Sequence, residues 1–378
     1  MAKIVKAEIF ELRYDMGQYV QATGVLEEVF AILVKLTDDS GKFGWGEANP
    51  EQPFTVEGPE DTIAALERLL PIVLKESDAS PAKVYDRLVN EQLDKDLMAK
   101  AAIDVALWDL EGKRQNKPIS QLLGTVLRPS IPVSFARGND KVENDIRIIT
   151  NKLAEGYTHY MLKAGHPEFP VVDEIARVIK LNELFGDRIT IKVDANTGWT
   201  LEQAQQFAEG VKDVPRKFLA FFEQPLLGNF EGMAKLQAGT EIPISVDESL
   251  TGMASAQEAI AKKAATVFSI KITKNGGLTA AFNLAEIAQQ NGINYYPNSM
   301  SEGGITQAAS LHLAVTRNNL VDAGAALNSV NRLKGDPTNF NSFIRNGVAY
   351  VPTGAGLGIE VDEALVREKT LYNKEFNA

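Results

Sequence analysis

The 378-residue chain contains no cysteine. Disulfides, thiolate nucleophiles and zinc–sulfur sites are therefore excluded outright. Positive charge is in short supply, with 39 Lys and Arg against 50 Asp and Glu, a net charge of −11. That argues against a nucleic-acid surface, which needs clustered cations, but not against a locally cationic pocket. Long apolar runs are missing too: none approaches the roughly 18 residues of a membrane helix. The opening "MAKIVKAEIF" alternates charged and apolar residues and lacks a secretory apolar core. The expectation is a soluble, cytoplasmic protein that binds neither nucleic acid nor membrane.

What is present is ordinary globular composition, 44 % apolar and 24 % charged. The length exceeds one ordinary core and predicts two domains, or one large barrel with additions. "KIVKAEIFELRY" and "VFAILVKLTDDSGKFGWGEA" alternate with period two and read as strands with a turn at Asp38 to Gly41. "AKAAIDVALWDLEGKRQ" reads as a helix, closed by Pro118 and Gly124. From Ile131 the rhythm changes. Short apolar runs alternate with amphipathic helical runs, and eight strand candidates appear, the last being "LVDAGAAL". Strand–helix alternation of this kind predicts parallel βαβ units closing into a barrel.

Charges fall at the ends of these runs. Lys163, Asp194, Glu223, Asp247 and Lys271 each end one, spaced 24 to 31 residues apart. In a barrel those exits form the C-terminal face, where active sites sit. Residues i and i+2 share a strand face, so Met161, Lys192, Phe221, Ser245 and Ser269 would form the layer beneath. Three converging carboxylates repel unless a cation neutralises them. Their all-oxygen donor set suits Mg²⁺, with Mn²⁺ as the alternative. The plainer alternative is that these acids pair with loop lysines. Glu248 follows Asp247 and, by alternation, would face the other way. Lys163 and Lys271 flank the three acids, so a substrate held there would lie between two amines. Lys274 reads as a solvent-facing or loop residue. His312 lies in a helical run and reads as packed, while His166 lies near the mouth.

The stretches "GWGEA", "AKAAIDVALWDLEGKRQNKPISQLLG", "KVDANTGW", "FFEQPL", "SVDES", "IKITKNGGL" and "MSEGGI", in this order and spacing, resemble the enolase superfamily, within it the muconate-lactonizing subgroup. The resemblance covers essentially the whole chain. It implies an α/β architecture: a modified (β/α)₇β TIM-type barrel over about 127–345, an N-terminal α+β capping domain over 1–126, and a C-terminal segment, 346–378, returning to the cap. It implies Mg²⁺ on Asp194, Glu223 and Asp247, and Lys163 and Lys271 as acid/base lysines. Glu302 matches a barrel-mouth glutamate of the subgroup. Two departures stand out. Met161 replaces the first lysine of the subgroup's Lys-x-Lys, with Lys192 as a partial substitute. The eighth run lacks the Asp-x-Asp of dipeptide epimerases.

The implied chemistry is removal of a proton α to a carboxylate, by a lysine whose pKa is lowered, with the resulting charge offset by the metal. Reprotonation gives a racemase, epimerase or cycloisomerase. Loss of a β-substituent would give a dehydratase. A Schiff base on the sixth-strand lysine, or a barrel without catalysis, are the readings from other classes. The substrate is expected to be a small carboxylic acid or amino-acid derivative, and the chain a homo-oligomer. Met161, Lys192, Asn196 and Glu302 are the expected substrate contacts on the barrel. Tyr19 and Phe54, with Tyr14 and Thr55, are the expected pocket walls in the cap loops.

Overall fold

A computed structural model describes residues 3–21, 24–52, 55–91, 95–327 and 329–378. The chain opens with a long antiparallel hairpin, β1 (Ile4–Gln21) on β2 (Gly24–Asp38), and β2 pairs in turn with β3 (Phe43–Ala48). The turn between β2 and β3 is held by Asp38, whose Oδ1 accepts from the amides of Ser40 and Lys42. Three helices follow: α1 (Pro59–Lys75), α2 (Pro81–Glu91) and α3 (Leu97–Gln115). Proline suits the first helical position because the missing N–H would have no partner there.

The period-two pattern of β1 and β2 buries both faces. Ala7, Ile9, Ile32 and Val34 pack with Leu66, Leu70 and Val73 of α1 and with Ile103 and Leu107 of α3. Phe10, Leu12, Leu33 and Trp45 join the core of the second region. Each such aliphatic side chain contributes roughly 1.5–3 kcal/mol on burial. α3 rests closely on β3: a Cβ on Gly46 would fall 1.8 Å from the Ala102 carbonyl oxygen. That contact is the reason for the glycines in "GWGEA".

After the short α4 (Ile119–Leu123) and β4 (Ser130–Pro132), strands and helices alternate. They are β5 (Ser134–Arg137), α5 (Val142–Ala154), β6 (His159–Lys163), α6 (Val171–Phe185), β7 (Thr190–Asp194), α7 (Leu201–Gly210) and β8 (Leu219–Glu223). Then come α8 (Phe230–Ala238), β9 (Ile244–Val246), α9 (Met253–Lys262), β10 (Val267–Ile270), α10 (Leu278–Gln290), β11 (Asn294–Pro297) and α11 (Gly304–Ala314). The strands form one parallel sheet in chain order from β5 to β11.

The eighth run, "LVDAGAAL", forms no ladder. It makes isolated parallel bridges, Tyr295 to Leu320 on one side and Val133 to Ala325 on the other. The Ser134 amide donates to the Ala325 carbonyl at 2.8 Å, and the Ala326 amide to Pro297 at 2.9 Å. The segment thus spans from β11 to β5 and closes the ring without becoming a strand. Gly324 is the cause. Its φ of +66° is left-handed, and a Cβ there would lie 2.8 Å from the His159 Cβ.

The chain then forms β12 (Ile344–Arg345) and β13 (Val348–Tyr350), which with β4 make a small antiparallel sheet. It ends with α12 (Glu363–Lys369) and β14 (Tyr372–Asn377), which pairs antiparallel with β1. Two acids of the N-terminal region cap barrel helices. Asp104 accepts from the Thr279 amide at 2.8 Å at the start of α10. Glu47 accepts from the amides of Gly303 and Thr306, at 2.8 and 3.0 Å, at the start of α11. A carboxyl oxygen suits a helix N-terminus because the first amides have no intrahelical partner. No helix among the described residues is long and apolar enough to cross a membrane.

Candidate active site

The parallel register brings the charged run-ends together. Lys163 on β6 is paired with Asp194 on β7, and Asp194 with Glu223 on β8, so three charged side chains stand abreast on adjacent strands. β9 stops at Val246 and β10 at Ile270, so Asp247 and Lys271 lie on the turns just beyond. Lys163 Nζ sits 2.5 Å from Asp194 Oδ2 and donates to Asn196 Oδ1 at 2.7 Å. Lys271 Nζ sits 2.7 Å from Asp247 Oδ2. Each lysine thus forms an ion pair with an acid from a neighbouring run.

Asn298, just past β11, ties the acids to one another. Its Nδ2 donates to Glu223 Oε1 at 2.6 Å and to Asp247 Oδ2 at 3.4 Å. Gln224 orders the turn after β9: its Oε1 accepts from the amides of Asp247 and Ser249, at 2.8 and 3.1 Å. Asn196, Thr197, Gln224 and Ser301, all close beyond strand ends, hold positive φ without being glycine. Such conformations persist only where surrounding contacts dictate them.

Electrostatics follow from burial and crowding. Burial, then Asp194 and Asp247, push the Glu223 carboxyl well above its ordinary range. Burial also acts on Asp247, but Lys271 and Lys274 outweigh it and hold this carboxyl well below its ordinary range. Lys271 is desolvated, yet Asp247, Glu248 and Glu223 overcome that and raise its pKa. The lowered pKa expected of a lysine base is therefore not found at Lys271. In this arrangement the ion pair with Asp247 holds it as the ammonium.

Other expectations are corrected. Lys274 is buried. Its Nζ lies 2.9 Å from Asp247 Oδ1 and donates to the carbonyls of Asp247 and Leu250. Glu248 does not turn away, because strand alternation ends at Val246. Its Oε1 accepts from Asn196 at 3.0 Å, and burial together with Asp247 and Asp194 pushes it up to about 7. Lys192 lies in the barrel interior, in register with Met161. It donates to the Ala323 carbonyl at 2.9 Å and sits 4.5 Å from the Tyr296 ring centroid. Burial, against the pull of Glu223 and Asp194, lowers it to about 7. Glu302 lies behind the mouth, its carboxylate taken up by Thr273 Oγ1, Ser299 Oγ and the Met300 amide. Tyr14 is in the core, and Thr55 closes a turn with Glu51. Phe54 and the side chain of Tyr19 lie outside the described residues. His312 is buried, Nδ1 accepting from the Ser120 amide.

The described cavity at the mouth is lined by three of the five run-ends, Lys163, Asp194 and Lys271, with Met161 and Asn196, whereas Glu223 and Asp247 do not line it. Asn298, Glu51 and Arg332 line it too, and the sequence reading missed all three. Asn298 was within reach, since it stands at the exit of the seventh run. Glu51 and Arg332 lie on irregular backbone, where no periodicity points inward.

Among the described residues, no three carboxylate or imidazole groups already form a metal cage. The donor chemistry nonetheless suits a hard divalent cation. Asp194, Glu223 and Asp247 offer only oxygen, and Glu223 Oε2 is buried without a hydrogen-bond partner.

Residues 147–365 match the enolase C-terminal domain-like family model, and residues 6–124 the N-terminal domain of mandelate racemase / muconate lactonizing enzyme. The chain is 31 % identical to muconate cycloisomerase 1 of Acinetobacter baylyi over 342 residues, 88 % of this chain and 90 % of that one. It is 27 % identical to the N-succinyl-L-Arg/Lys racemase of Bacillus cereus over 378 residues, 98 % of each. The crystal structure of N-succinyl Arg/Lys racemase from Bacillus cereus superposes with a TM-score of 0.92 at 26 % identity, covering 99 % of this chain and 100 % of that one.

Proposed function

The chain belongs to the mandelate racemase / muconate lactonizing enzyme family of the enolase superfamily, and from that premise we propose that it isomerises a small carboxylic acid or amino-acid derivative by moving the proton α to the carboxylate. The observation that carries this reading is the register: Lys163, Asp194 and Glu223 abreast, with Lys271 beyond the end of β10.

Asp194, Glu223 and Asp247 are the residues that would hold Mg²⁺. When bound, such an ion supplies the positive charge that offsets the second negative charge on a deprotonated carboxylate. The chain's own residues do the rest. One of the two lysines, as the amine, takes the α-proton from one face, and the electron pair left behind moves onto the substrate carboxylate. The other, as the ammonium, returns a proton to the opposite face. Asn196 orients Lys163 through their 2.7 Å hydrogen bond, and Asn298 keeps Glu223 and Asp247 together.

The test is proton NMR in D₂O with Mg²⁺ and a panel of N-acyl amino acids, cyclic amino acids and muconate-type acids. Loss of one substrate's α-proton signal is expected, and its arrest on chelation. Exchange that continues undiminished in both Lys163→Ala and Lys271→Ala would remove the two lysines from the mechanism.

A further inference from the structure

The mouth of the barrel differs from one side to the other. β6, β7 and β8, with the turns after β9 and β10, carry the paired acids and lysines. The opposite arc runs from the exit of β11 through the closing segment to β5. Its cavity wall includes Ala326, Ser329, Arg332 and Ala136, with Met161 beside them on β6. Arg332 is anchored there: a guanidinium N–H donates to the Ala136 carbonyl, and the group lies 5.6 Å from the Phe135 ring centroid.

We propose that Arg332 is a specificity-determining residue that reads a second carboxylate at the end of the substrate remote from the reacting carbon. The inference rests on the proton-transfer reading, which sets the reacting carboxylate among Asp194, Glu223 and Asp247. A ligand held at that end extends toward the facing arc. There it meets an apolar stretch, Met161 with Ala136 and Ala326, and then a guanidinium. Methionine adapts to a hydrocarbon chain, and a guanidinium presents paired donors that match a carboxylate. An anchored guanidinium loses less freedom on binding than a mobile lysine would. Lys163 and Lys271 in the lining are each engaged by an acid, Asp194 and Asp247, so the cation expected to meet a ligand's remote end is Arg332. Glu51 is the competing determinant. It comes from the cap loop and would instead read a cationic end.

The test is calorimetric binding to the Mg²⁺-supplemented enzyme. The probes are succinate, glutarate and adipate, each against the monoacid of equal length, with 6-aminohexanoate as the cationic counterpart. For at least one length the diacid is expected to bind about tenfold tighter, about 1.4 kcal/mol. Arg332→Met should bring diacid and monoacid within about twofold and leave monoacid affinity unchanged. Arg332→Gln, which can keep the bond to the Ala136 carbonyl while losing the charge, should do the same and guards against a folding defect. The proposal is overturned if the wild type does not distinguish the acids, if neither class binds, if the preference survives both substitutions, or if 6-aminohexanoate binds tighter than adipate. Proton exchange measured in parallel judges the other reading separately: an intact diacid preference without exchange counts against proton transfer and still supports Arg332.

Discussion

The two arcs of the barrel mouth are built by different means. On the arc from β6 to β8, a continuous parallel ladder sets Lys163, Asp194 and Glu223 side by side, and each strand's hydrogen bonds locate the next strand's end group. On the facing arc the backbone is irregular: isolated bridges at Leu320 and Ala325, a left-handed Gly324, and Arg332 beyond them. Under the proposed proton transfer, the difference teaches a division of labour. Groups that exchange protons need fixed spacing, which a ladder supplies. Groups that choose among substrates sit on segments whose length and path can vary without disturbing that ladder.

The sharpest way to break the comparison is at the ladder. Lys163→Ala and Lys271→Ala should each lower α-proton exchange by about 10³-fold, within the range of general acid–base catalysis, with circular dichroism unchanged. Arg332→Met should affect only diacid substrates. If that variant lowers exchange of every substrate as much as the lysine variants do, the division fails.

Beneath the ladder, Met161 and Lys192 share one layer. Met161→Lys would set a second amine beside Lys192 in a buried layer. It should cost about 3 kcal/mol of stability, the scale of burying an uncompensated charge, read as a lower urea midpoint. It should also reduce kcat/KM. An unchanged midpoint would mean that the layer is better hydrated than its burial indicates.

On the irregular arc, Gly324→Ala forces a side chain into the left-handed region and against His159. The expected loss is about 1–2 kcal/mol, seen as a fall in Tm, with the diacid preference weakened more than proton exchange. Equal loss of both would show the two arcs to be mechanically one.

The smallest effect tests the link between cap and barrel. Burial and neighbouring Asp336 raise the Glu47 carboxyl to about 8. Its folded pKa exceeds its unfolded one, so the folded state binds more protons between the two values. Stability is full below the unfolded pKa and falls as pH rises through about 8. Unfolding measured from pH 5 to 8 should therefore show a declining midpoint, and Glu47→Gln should flatten that decline by about 1 kcal/mol. A slope identical in both would mean that Glu47 does not titrate there.

Read without a structure, the chain is legible where periodicity governs. The N-terminal strand stretches with their turn at Asp38 to Gly41, the helix now bounded as Leu97–Gln115 and seven of eight barrel strands follow from spacing of two or about 3.6 residues, and the five charged run-ends from where those runs stop. The eighth run was misread because its apolar composition suits a strand and only the φ of Gly324 forbids one. Lys274 was misread because the carbonyls of Asp247 and Leu250 that receive it are 27 and 24 residues away. Glu248 was misread because alternation was carried past the strand's last residue.

The sequence by itself determined the architecture and the five charged run-ends, since alternation and strand–helix rhythm are local consequences of backbone geometry. Only the tertiary structure decided how those groups are paired: Lys163 with Asp194, Lys271 and Lys274 with Asp247, Asp104 and Glu47 on barrel helices of another region. Charge and hydrogen bonding act through space. Which acid meets which lysine therefore depends on where separate turns come to rest, and no local pattern encodes that.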